Sequence, residues 1–72
     1  MINWQACLLG LRRHHAPIAR IAVEVGSNER HLNRLARAEV HEPKFNTGVK
    51  LLDLAHDKMP AAEFKRLRME SP

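Results

Sequence analysis

The chain has 72 residues, a single cysteine and a formal net charge of +4. A domain of this length sits near the lower limit for folding alone and leaves little room for a buried catalytic cleft, so no enzyme, cofactor or small-molecule substrate is expected. One cysteine excludes an internal disulfide framework, no apolar run approaches the roughly 20 residues that span a bilayer, and the start lacks the basic-then-apolar pattern of an export signal, so the expected setting is the cytoplasm.

Helical periodicity runs through almost the whole sequence, whereas strand signals are few: there is no β-branched run and no Asn-Gly or Asp-Gly between alternating segments. The expected fold is therefore all-α, a single domain over 1–72 with four to five short helices. Trp4, Leu8 and Leu11 recur at helical spacing with Cys7 beside them, which predicts a first helix over about 3–14 and makes Cys7 a core residue rather than a nucleophile. His14 and His15 follow, expected in a solvated loop. Pro17 suits the first turn of a second helix, because its missing N–H would be unpaired there anyway. Ile18, Ile21, Ala22 and Val25 then form an apolar stripe.

Gly26 ends that helix, and Ser27 or Asn28 can cap the next, with Glu29 in its first turn, where the dipole favours an anion. The third helix, about 28–37, buries Leu32, Leu35 and Ala36. Glu39 to Pro43 is a connector. Phe45, Val49, Leu52, Ala55 and Met59 predict a fourth helix ending near Pro60, with Gly48 inside it at a cost of about 1 kcal/mol relative to alanine. That cost suggests the close approach of a DNA backbone or of another helix. Pro60 can open a short fifth helix carrying Phe64 and Leu67. Phe64, Leu67 and Met69 dock either on their own domain or on a second subunit. For so short a chain the second subunit is the expected partner, which gives the segment 60–70 a role in dimerisation.

The informative stretch runs from about 17 to 37. Two short helices joined by a glycine-containing turn need a small residue where they cross, and Ala22 stands there. Four residues later, Gly26 can leave the helix in a left-handed conformation that other residues resist by about 1–2 kcal/mol. Arg30, Arg34 and Arg37 fall opposite Leu32 and Leu35 at about 100° per residue, with Asn33 on the flank. Arginine suits guanine and asparagine suits adenine, each by two hydrogen bonds in the major groove. The charge distribution agrees. Residues 1–37 hold six arginines against two acids, while residues 38–72 balance six basic residues with six acids. The excess positive charge therefore lies with the helices that would face a polyanion.

The run Ile18-Ala19-Arg20-Ile21-Ala22-Val23-Glu24-Val25-Gly26-Ser27, with Leu32-Asn33-Arg34-Leu35, resembles the Cro/CI-like (XRE) helix-turn-helix regulators of phages and prophages. Pro43-Lys44-Phe45 and Val49-Lys50-Leu51-Leu52-Asp53-Leu54-Ala55 are similar to the segment that closes the domain in that family. The resemblance implies a lambda-repressor-like domain in a bacterial host cell, recognition of double-stranded DNA by the third helix, a homodimer on a near-palindromic operator, and repression of transcription. On that reading Arg30, Asn33 and Arg34 contact bases. Ser27, Asn28 and Arg37 mix base and phosphate contacts, and Lys44 and Thr47 hold the backbone. Two positions depart from the family pattern: Pro17 and Ile18 stand where a phosphate-binding glutamine is common, and Ser27 stands where an apolar residue usually follows the turn glycine.

The rival expectation is a protein-binding module on the same fold, such as an antitoxin, co-regulator or inhibitor, with the basic face meeting an acidic protein surface. No histidine pair has a common zinc spacing, so no metal site is expected. Asp53, His56 and Asp57 read as a solvated helix face.

Overall fold

Asn3 opens the fold in the computed structural model of the chain, which describes residues 2–40 and 42–67. Its side-chain oxygen accepts the Ala6 N–H at 3.1 Å and so caps the first helix, α1 (Trp4–His14). The described residues form four further helices: α2 (Ile18–Glu24), α3 (Glu29–Ala36), α4 (Phe45–Lys58) and α5 (Ala61–Lys65). The protein is all-α, and no helix is long and apolar enough to cross a membrane. The centre is α1, which packs against α3 and α4, while α2 lies across α1 and α3.

Periodicity accounts for most of this packing. Cys7, Leu8 and Leu11 of α1 are fully buried, and Ile18, Ile21, Ala22 and Val25 fill the inner side of α2 as their spacing predicts. Burial pushes the Cys7 thiol up to about 12, so it stays protonated and behaves as a small apolar side chain. On α3, Leu32 and Leu35 are buried and Ala36 only partly so.

The fourth helix departs from expectation in its rotation. Ala55 and Met59 are buried as expected, but Phe45 is 82% exposed, Val49 43% and Leu52 half-buried, and Thr47, Gly48 and Leu51 face the core instead. The physical reason is Gly48. A Cβ there would stand 3.3 Å from the Trp4 ring and 3.3 Å from Pro43, so the missing side chain lets α4 close on α1 along this side. Of the two close approaches Gly48 suggested, the structure shows the helix.

A second departure concerns the C-terminal segment. Leu67 is 2% exposed and lies in the core of its own chain, not on a surface open to a second subunit. The helix α5 is only five residues long, and the turn after it brings the Leu67 carbonyl to the Asn3 N–H at 2.7 Å. Glu63 also receives Arg13 at 3.2 Å and His14 at 2.7 Å, tying α5 to the end of α1. Phe64 is half-buried against the same core, with its ring edge-on to His56 at 5.1 Å, and Met69 lies outside the described residues.

The same backbone device closes α2 and α3. After α2, the Gly26 N–H donates to Val23 and the Ser27 N–H to Ala22, with Gly26 at φ 68°. After α3, the Ala38 N–H donates to Leu35 and the Glu39 N–H to Arg34, with Ala38 at φ 60°. Both are Schellman caps, whose pivot favours glycine. Ala38 therefore carries strain that Gly26 does not. Ala38→Gly is expected to stabilise the domain by about 0.5–1 kcal/mol, the left-handed penalty less the added freedom of the unfolded chain. Thermal unfolding checks the sign. A lower melting temperature would show that Ala38 is unstrained.

Candidate nucleic-acid interface

The helix α3 is capped at both ends, by a side chain at its start and by backbone at its finish. Asn28 caps its start, accepting the His31 N–H at 2.7 Å, so of the two capping candidates it is Asn28 and not Ser27 that does so. Glu29 lies in the first turn, and the Schellman cap at Ala38 fixes the far end. With Leu32 and Leu35 anchored in the core, the opposite face is set. At about 100° per residue, Arg30 and Arg37 point directly away from the buried pair, and Asn33 and Arg34 stand about 50° to either side. All three arginines are exposed and Asn33 is half-buried.

The arginines differ in what holds them. Arg37 Nε lies 2.9 Å from one Glu39 carboxylate oxygen, and Arg34 Nε lies 3.9 Å from the other. Arg30 has no ion pair among the described residues. Glu39 is placed there by the strained turn at Ala38, since its own N–H closes the cap on Arg34. Exposed pairs of this kind contribute little to stability, so their effect is to bias where two guanidinium groups point.

Two concave surfaces flank α3. One, of roughly 450 Å³, is lined by Gly26, Ser27, Asn28, His31, Lys44 and Thr47, which brings four of the sequence-derived candidates together. The Lys50 ammonium lies over the Gly26 turn, 3.6 Å from where a Cβ would stand. Lys44 is exposed at the start of α4, and Ser27 is half-buried. Thr47 departs from its expected place as an outward backbone anchor: it is 8% exposed, because α4 turns that side toward the core. The His31 Nε2 atom is buried and has no hydrogen-bond partner among the described residues.

The other surface, of roughly 540 Å³, lies between the start of α2 and α3 and is lined by Arg12, His15, Ala16, Pro17, Ile18, Glu29 and Asn33. Here Arg12 stands beside the position where the resemblance lacks its phosphate-binding glutamine. The histidines at the end of α1 are not free in a solvated loop. His14 is on Glu63, and His15 reaches both Glu24 oxygens at 3.0 and 2.8 Å. The hydrogen bond from His15, helped by Arg20, holds the Glu24 carboxyl below the usual carboxylate range. These contacts set α2 against the end of α1.

Arg12 and Lys50 complete the rim of this face and were not singled out by spacing. Arg12 is read as the end of α1, and Lys50 as a residue of the balanced second half. No group of three or more metal-ligating side chains converges among the described residues. No family model matches the chain, and no curated protein or solved structure shows a significant match to it.

Proposed function

We propose that the chain is a non-catalytic, sequence-specific DNA-binding protein, a transcriptional repressor of the Cro/CI-like kind from a phage or prophage. It would act as a homodimer on a near-palindromic operator inside a bacterial cell. The observation that carries this reading is α3 itself. It is a short helix capped at both ends, anchored by Leu32 and Leu35, and it presents Arg30, Asn33, Arg34 and Arg37 outward in one arc. Like charges at this spacing disfavour an isolated helix, and an anionic partner relieves the repulsion. The turn Gly26–Asn28 and the start of α4 add Ser27, Lys44 and Lys50 beside that arc, where phosphates of the same groove edge would pass.

In this reading Arg30, Asn33 and Arg34 meet base edges, Arg37 meets both bases and backbone, and Lys44 meets the backbone. A mobility-shift titration against DNA upstream of the protein's own gene tests it. Binding there that random DNA competes poorly is the expected result. No binding even at low salt overturns the reading in favour of a protein partner for the same basic face.

A further inference from the structure

The outward arc of α3 is basic, yet one carboxylate stands against it. Glu39 puts one oxygen 2.9 Å from Arg37 Nε and the other 3.9 Å from Arg34 Nε. Its starting point is fixed by the backbone. The Glu39 N–H donates to the Arg34 carbonyl at 2.9 Å, and Ala38 holds a left-handed φ of 60° to bring it there. A non-glycine residue kept in that region is held by its surroundings, and such residues cluster at functional sites. A carboxylate beside a face that meets a polyanion opposes plain charge attraction, so its presence here calls for a role of its own.

We propose that Glu39 is a specificity-determining residue: it holds Arg37 toward a base and penalises binding through phosphates alone. The inference rests on the DNA-binding reading above and deepens it. The side of contact carries the argument. Glu39 meets Arg37 at Nε, the inner corner of the guanidinium, and no other acid is within ion-pair reach of Arg37 among the described residues. The outer edge, with its two terminal amino groups, is the fork that matches guanine O6 and N7. A hold at Nε therefore orients the fork without occupying it.

Arg37 is the residue that needs such a hold. It closes α3 as its C-cap and is exposed, so its long side chain can turn to a base or to a neighbouring phosphate. Phosphate contacts carry no sequence information. With Glu39 in place, part of the ordering that a two-hydrogen-bond contact demands is met before DNA arrives. Random DNA is bound through phosphates, so there Arg37 and Arg34 have to leave Glu39, and the carboxylate is left unpaired beside like charge. On the operator, Arg37 keeps its partner while Arg34, held only at 3.9 Å, turns to its own base. One side chain thus favours the right sequence and disfavours the others.

Titrations of wild type, Glu39→Gln and Glu39→Asp on DNA upstream of the protein's own gene and on random DNA test it. Glutamine keeps the backbone cap, and exposed pairs add little to stability, so the melting temperature should not move. Glu39→Gln should weaken the upstream site roughly 2- to 5-fold per half-site and tighten random DNA by a similar factor. On random DNA the slope of log K against log[salt] should steepen by about 0.9 for each arginine released to a phosphate. Glu39→Asp keeps the charge but is one methylene too short to hold Arg37, so it should weaken the upstream site without tightening random DNA. In an Arg37→Ala background, Glu39→Gln should no longer weaken the upstream site. A ratio of the two affinities unchanged by Glu39→Gln, or a loss that persists without Arg37, overturns the proposal and leaves the DNA-binding reading standing. A wild type that binds neither DNA at low salt overturns both.

Discussion

Gly26→Val lowers the melting temperature by roughly 4–16 °C, because a left-handed side chain costs about 1–2 kcal/mol in a domain this small. The effect comes from the backbone and not from crowding. A Cβ at Gly26 would meet only the end of the flexible Lys50 side chain, at 3.6 Å, while φ stands at 68°. A β-branched residue is the least tolerant of that conformation, so valine should lose more than alanine. The alternative open to the variant is to leave the left-handed region. That breaks the Ser27-to-Ala22 and Gly26-to-Val23 hydrogen bonds and moves the Asn28 cap that starts α3. DNA binding should therefore fall along with stability, even though Gly26 contributes no side chain to the interface. Thermal unfolding of Gly26→Ala and Gly26→Val decides it. An unchanged melting temperature in both would mean that the link between α2 and α3 does not depend on a left-handed residue.

The contrast between α2 and α4 explains why one helix was legible and the other half so. In α2 a single apolar stripe exists, and Ile18, Ile21, Ala22 and Val25 leave no choice of which side to bury. In α4 the expected stripe of Phe45, Val49, Leu52, Ala55 and Met59 is buried at its far end, at Ala55 and Met59, but at its start the bulkier Phe45, Val49 and Leu52 give way to Gly48 and Leu51. Hydropathy cannot register that the smaller stripe lets two helix backbones close, and Gly48 was the one residue that hinted at it.

Leu67 was misplaced for a related reason. A five-residue helix has too little period to show which way the following turn runs, and that turn is fixed by the distant Asn3 N–H. Ala38 carries no sign in its residue type of a left-handed pivot, so the cap that sets Glu39 against Arg34 and Arg37 stayed hidden. The basic arc of α3, by contrast, follows from spacing alone once Leu32 and Leu35 are placed inside.

Arg34→Ala and Lys44→Ala should separate sequence reading from charge. Arg34 stands in the middle of α3, exposed, and its guanidinium is held only loosely by Glu39 at 3.9 Å, unlike that of Arg37 at 2.9 Å. Little is lost in turning it from Glu39 to a base. A bidentate contact to guanine discriminates by about 1–3 kcal/mol, so Arg34→Ala should weaken operator binding roughly 5- to 150-fold and random DNA much less. Lys44 caps α4 without a side-chain hydrogen bond and lies beyond the arc of α3, where only phosphates would reach it. Lys44→Ala should therefore weaken both DNAs by the same factor and make the slope of log K against log[salt] shallower by about 0.9 for the one contact removed. Titrations of both variants on operator and random DNA at several salt concentrations measure all four quantities. Equal weakening of the two DNAs by Arg34→Ala would reduce α3 to a charged surface, and the sequence-reading mechanism would fail there even if binding itself survived.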